Sequence, residues 1–210
     1  QVGGMLHQLP DTPLTRDFIQ RASRALNEEV LLLDSAEALR ATRAVQLCLL
    51  ICGVIWAEHL RGDGVMPDFV SGLSIGAFPA AVIAGALDFE QAVQLVALRG
   101  ELMQHAYPQG FGLSAIIGLR QQQLEILLEQ VNSPQMPVFL ANINAEDQMV
   151  IAGSDEAMQQ VRERAAALGA HKTHLLAVSV PSHCALLDKP AAELAAAFSR
   201  VTLQRPTCGY

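Results

Sequence analysis

The sequence predicts an α/β protein built in two units, and three observations carry that reading. Hydrophobic residues make up 51% of the 210 residues and charged ones only 17%, so the chain can bury a sizeable core. Gly72-Leu73-Ser74-Ile75-Gly76 is a G-x-S-x-G pattern set between a short apolar stretch, Phe69-Val70, and an apolar helical run over 77–87. Such a pattern describes a sharp strand-to-helix turn. Between residues 112 and 178 the apolar period alternates between two and 3.6 in the order β-α-β-β-α-β, the ferredoxin-like split motif.

The elements follow in chain order. Residues 14–60 have a helical period with breaks near Asn27 and Asp34-Ser35. The longest apolar run, 47–57, is too short to span a bilayer and predicts a core helix. Pro67-Asp68 opens the strand–turn–helix unit. Pro79 is tolerated only in a first helical turn, so regular helix should begin near Gly76 or Ala77. A helix over 89–105 follows. Residues 112–119 read as a strand and 121–131 as a helix. Residues 138–143 and 148–152 read as two strands joined by a turn at 144–147. Ser154 is a good N-cap, with Asp155 and Glu156 in the first turn. Met158, Val161, Ala165 and Leu168 make one apolar stripe, and Gly169 ends that helix. A strand over 173–178 and a helix over 190–198 complete the layout. The expected units are 1–106 with 180–210, and 107–179.

The chemistry starts at Ser74. The two glycines let the backbone bend tightly and lift the hydroxyl to the start of a helix. There the helix dipole and unbonded backbone N–H groups can hold an oxyanion. The bland alternative is a glycine turn with no chemistry. A serine nucleophile needs a base. Of the six histidines, His59 and His105 sit near helix ends, and His171 and His174 open a strand. His183, in Val180-Pro181-Ser182-His183-Cys184, follows a strand and a proline break, where a side chain can face a cleft. No C-x-x-C pair is present, so zinc or redox chemistry is disfavoured. Cys48 and Cys52 share one helix face, Cys184 reads as small-core packing, and buried free thiols suit a reducing cytoplasm. No charged segment precedes an apolar one in the pattern of a secretory signal. A net charge of −7 with no basic stripe argues against nucleic acid. An anionic partner would need a local basic patch, for which Arg162, Arg164, Lys172 and Lys189 are candidates.

Five segments taken together are more specific than any one. They are Gly72-Leu73-Ser74-Ile75-Gly76, Arg99-Gly100-Glu101-Leu102-Met103-Gln104, Ala115-Ile116-Ile117-Gly118-Leu119, Val150-Ile151-Ala152-Gly153, and Val178 through Leu186 around His183. In this order they closely resemble the malonyl-CoA:acyl carrier protein transacylase family, over almost the whole chain and most strongly over 42–192. The resemblance implies an α/β-hydrolase-like core with a parallel sheet and an inserted ferredoxin-like subdomain, with the cleft between them. It implies Ser74 as the acyl-carrying nucleophile, His183 as general base and then acid, and Arg99 as partner of the malonyl carboxylate. The backbone N–H of Ile75 would form half of the oxyanion hole. Malonyl-CoA and an acyl carrier protein are the implied partners, and no metal or cofactor is needed.

Two positions depart from the members that serve fatty-acid synthesis. Leu73 stands where they usually have histidine, and Ala77 where they have glutamate. The G-L-S-I-G-A-F form looks more like the transacylase subunit of bacterial malonate decarboxylase, which would add that enzyme's other subunits as partners. The run Gln1-Val2-Gly3-Gly4-Met5-Leu6 resembles the end of the family's N-terminal glycine-glutamine motif, and residues 203–207 the approach to a further core strand. On this reading the chain is incomplete at both ends, and one oxyanion donor is missing. Three other readings remain: a transacylase of fatty-acid synthesis, an inactive docking subunit or fragment, and a serine hydrolase. The hydrolase would need a carboxylate on His183, with Asp147, Asp155 and Asp188 available.

Overall fold

The computed structural model describes residues 3–107 and 109–210. Gln1 and Val2, which begin the N-terminal run noted above, lie outside the described residues. The chain divides into two compact units, 3–102 with 193–210, and 103–192. The second is wider than the 107–179 segment expected from periodicity. The extra residues are 103–106, the last turn of one helix, and 180–192, a loop with a short 3₁₀ turn and the start of the final helix; periodicity marks elements and not where a unit ends within one.

The first unit is helical. α1 (Pro13–Leu26) begins where Thr12 caps the Thr15 N–H at 3.1 Å and Pro13 fills the first position. It ends at Asn27, which adopts the left-handed conformation at φ 54°. Two 3₁₀ turns, Val30–Asp34 and Ala38–Arg40, fill the predicted break. Asp34 is buried, and its carboxylate accepts the N–H groups of Gly4 at 3.0 Å and Leu6 at 2.6 Å. These charge-assisted bonds offset the cost of removing the carboxylate from water.

α2 (Thr42–Gly62) is longer than its apolar run and, by length and composition alone, could cross a membrane. Here Leu47, Leu50, Ile51, Val54 and Ile55 are fully buried in the core of the first unit. Each such side chain contributes roughly 1.5–3 kcal/mol by leaving water. α3 (Ala77–Ile83) and the first four turns of α4 (Phe89–Ala106) add Phe78, Phe89, Val93 and Val96 to the same core. The end of α7 (Asp188–Phe198) adds Leu194 and Phe198, whose ring lies 5.8 Å from that of Phe78.

The expected strand at Phe69-Val70 is reduced to one parallel bridge, Phe69 to Gly209, with Val70 N–H donating to Gly209 O at 2.8 Å. It is the single parallel pairing among the described residues. Residues 203–207 form no strand. Gln204 and Thr207 donate their N–H groups to the carbonyls of Ala86 and Ala84 instead.

The second unit is the β-α-β-β-α-β motif. β1 (Phe111–Ile117), α5 (Gln121–Val131), β2 (Val138–Ala145), β3 (Gln148–Ser154), α6 (Asp155–Ala167) and β4 (Lys172–Leu175) follow in order. The sheet order is β2-β3-β1-β4, antiparallel throughout. Ser154 caps α6 through the Ala157 N–H. Met149, Ile151, Leu124, Met158 and Val161 are buried between sheet and helices. β4 is shorter than the expected 173–178. Beyond Leu175, the chain makes one more bond to β1, Leu176 N–H to Leu113 O, and then leaves the sheet.

Candidate active site

The G-x-S-x-G segment folds as a strained turn. Ser74 adopts φ 55°, a left-handed conformation that side chains other than glycine avoid. Such a residue typically costs about 1–3 kcal/mol and persists only when its surroundings impose it. Here the imposition is steric. A Cβ on Gly72 would stand 2.0 Å from the carbonyl carbon and oxygen of Gly76. The loop closes on itself too tightly for any other residue there. Gly76 has open space where its Cβ would be, so it is not required on the same ground. Gly76 N–H donates to Leu73 O at 2.9 Å, and the 3₁₀ turn Ser74–Gly76 runs directly into α3. The Ile75 amide therefore lies in the first turn of a helical run, where N–H groups lack an intrahelical acceptor. Pro79 falls in the first turn of α3, as its ring requires.

Arg99 reaches this turn from α4. Its Nη2 donates to Ser74 Oγ at 3.0 Å and its Nη1 to Gln46 Oε1 at 2.5 Å. A helical arginine followed by glutamate could instead pair with that neighbour at the surface. Glu101 faces Arg43, with Arg43 Nε 2.9 Å from its carboxylate and Arg43 Nη2 2.5 Å from Glu28. The Glu101 contact is off-line, a charge contact rather than a hydrogen bond. Gly100 permits the arrangement: a Cβ there would lie 2.5 Å from Arg43 Cα. The three residues Arg99-Gly100-Glu101 thus aim a guanidinium at the serine, let α2 approach, and anchor α2 through Arg43. Burial pushes the Arg99 guanidinium below its ordinary pKa. A guanidinium is not deprotonated in proteins, so Arg99 keeps its charge despite its burial.

Gln46 carries no signature in the sequence and was not among the expected site residues. The available signal is an amide flanked by Ala44-Val45 and the apolar run 47–57 in α2. A buried amide needs a partner, which marks Gln46 as part of a polar contact.

His183 belongs to the second unit, between β4 and α7. It too has a left-handed backbone, φ 64°. Among the described residues only Asn27, Ser74 and His183 are non-glycine residues with positive φ. Asn27 is a helix cap, so the other two instances fall on the two expected catalytic residues. Buried Val180 and Leu187 pack with Met103 on either side of this loop. Cys184, next to His183, donates its Sγ–H to Pro181 O at 3.3 Å, and burial raises its thiol pKa. The structure therefore brings Ser74, Ile75 and Arg99 together in the first unit and places His183 in the second. Among the described residues no group of three or more His, Cys, Asp or Glu side chains is placed to hold a metal ion.

Comparison with known proteins adds a family. The acyl transferase domain model matches residues 1–210. A malonyl CoA-acyl carrier protein transacylase of Salmonella typhimurium is 36% identical over 211 residues, covering 98% of this chain and 68% of that protein. The solved structure of the malonyl CoA-acyl carrier protein transacylase from Coxiella burnetii matches with a TM-score of 0.93 at 36% identity, covering 99% of this chain and 67% of that one. A malonyl-transacylase solved in complex with a type II PKS acyl-carrier protein matches with a TM-score of 0.91 at 35% identity, covering 99% and 69%. The chain belongs to the acyl transferase domain family and, within it, to the family of the malonyl CoA-acyl carrier protein transacylases.

Proposed function

We propose that this chain transfers a malonyl group from malonyl-CoA to the thiol of an acyl carrier protein through an acyl ester on Ser74. The observation that carries the proposal is the Arg99 contact with Ser74 Oγ at 3.0 Å. A guanidinium so close to the acylated atom is within the span of a three-carbon acyl chain. It offers a planar fork to a terminal carboxylate that has been stripped of water. An acetyl group has nothing to place there.

Ser74 Oγ attacks the thioester carbonyl and its proton passes to His183. The Ile75 N–H supports the oxyanion, the C–S bond breaks, and coenzyme A leaves with the proton from His183. The carrier thiol then enters, gives its proton to His183 and attacks the ester. The malonyl group leaves on sulfur, and the proton returns to Ser74 Oγ. Thioester, ester and thioester lie close in energy, so catalysis consists of lowering barriers and excluding water. The left-handed backbones of Ser74 and His183 support the pairing, since strain of this kind concentrates at working sites.

The relatives named above favour a free acyl carrier protein as acceptor. The narrower place within malonate decarboxylase rests on Leu73 and Ala77 alone and gains no support from them. Four free cysteines suit a cytoplasmic setting for both substrates. The test supplies labelled malonyl-CoA with either holo acyl carrier protein or the carrier subunit of malonate decarboxylase, and separates the products. Label on the free carrier protein supports the main reading, and label on the decarboxylase carrier alone moves the pathway. Malonate released without a labelled carrier sinks transfer in favour of hydrolysis.

A further inference from the structure

We infer that Gln46 is a positioning residue that sets acyl-group selectivity by fixing the Arg99 guanidinium. The inference rests on the transfer reading above. Gln46 lies in α2, 5% exposed, within an otherwise apolar stretch of that helix. Its Oε1 accepts from Arg99 Nη1 at 2.5 Å while the other terminal nitrogen reaches Ser74 Oγ. One end of the fork is thereby held to the scaffold and the other is directed at the reacting atom. An arginine side chain has several rotatable bonds, and a selective carboxylate grip requires that they stay ordered. Gln46 supplies an acceptor without a negative charge. A carboxylate in its place would form an ion pair with Arg99 and would repel the acyl carboxylate that Arg99 is to hold.

The scaffold for this contact is visible in the same two helices. One turn before Gln46, Arg43 meets Glu101, and Gly100 lets the backbones approach. α2 therefore grips α4 at two successive turns, once through a charge contact and once through the amide. Arg99 is the α4 partner in the second of these. The guanidinium carries five N–H donors, and the two contacts named leave further donors for a carboxylate.

The test compares kcat/KM for malonyl-CoA and acetyl-CoA, each normalised to the fraction of Ser74 that a serine-directed reagent can label. Gln46→Leu is expected to lower the malonyl-to-acetyl ratio by about tenfold, mainly through KM for malonyl-CoA. Gln46→Glu keeps size and acceptor but adds charge, and is expected to lower the ratio further. In an Arg99→Ala background neither change should alter the ratio. The double-mutant comparison isolates the coupling from any loss of folded protein. A ratio that stays put in both Gln46 variants while Arg99→Ala collapses it would overturn the role of Gln46 and leave the transfer reading intact. If Arg99→Ala itself leaves the ratio unchanged, the carboxylate clamp fails, and Gln46 with it.

Discussion

The loops that carry Ser74 and His183 hold the same backbone strain by different means. Both residues have positive φ, 55° and 64°. The serine loop is fixed from within: Gly72 lies against Gly76, the turn leads into α3, and Arg99 caps the hydroxyl. The histidine loop has no glycine, and its one short 3₁₀ turn, Ala185–Leu187, begins only after His183. Buried Val180, Ser182 and Leu187 hold it, with Met103 arriving from the end of α4. One loop is shaped by backbone sterics within five residues, the other by side-chain packing from distant parts of the chain. The difference teaches that equal strain can have a short-range or a long-range cause, and that the two causes respond to different substitutions.

The largest expected effect lies in the serine loop. Gly72→Ala forces the turn open and is expected to reduce the acylation rate of Ser74 by about a hundredfold or more, since a misplacement near 1 Å can cost that much. Gly76→Ala meets nothing and should leave the melting temperature close to the parent. Stopped-flow acylation and thermal melts decide it; equal damage from both would mean that the loop is not held by the Gly72–Gly76 contact.

In the histidine loop the expected damage is to packing first. Leu187→Ala should destabilise the protein by about 2 kcal/mol and slow transfer through a loosened His183. Urea titration beside steady-state rates checks this. Stability lost with no change in rate would separate the packing cluster from the histidine.

A smaller effect compares the strain itself. Ser74→Gly and His183→Gly should each be about 1 kcal/mol more stable than the corresponding alanine variant, because glycine accepts positive φ. If the gain appears at one position only, the loops do not share the same strain.

The smallest effect is electrostatic. Burial pushes the Cys48 thiol from an ordinary 9.0 up to about 12, and raises Cys184 by the same cause. The folded chain prefers the neutral thiol, so this contribution to stability is fully present below the unfolded value. It is lost as pH rises from about 9 towards about 12. Alkylation at pH 8 should therefore be slower for Cys184 in the folded protein than in the unfolded chain. Equal rates would mean that the loop around His183 is open.

The same contrast explains what could be read from the sequence. The second unit was legible because its causes are local: short, mostly apolar runs in β1 and β3 bounded by turn residues, the Ser154 cap, and the apolar stripe of α6. Ser74 was legible because glycines mark a tight turn. Arg99 was legible only by family resemblance; that it turns to Ser74 while Glu101 turns to Arg43 depends on a helix far away in sequence. Gln46 was missed for the same reason, since its partner lies 53 positions on. The strand at Phe69 was overestimated because strand pairing is a property of neighbours, and here one bridge to Gly209 is what pairs with it.

The central claim is that Ser74 becomes the malonyl carrier. Brief incubation with malonyl-CoA, acid quench and peptide mass spectrometry test it directly. The account predicts a malonyl ester on the peptide containing Ser74, absent in Ser74→Ala and formed more slowly in His183→Ala. A malonyl group found elsewhere, or none on Ser74 while carrier protein is still loaded, would contradict it.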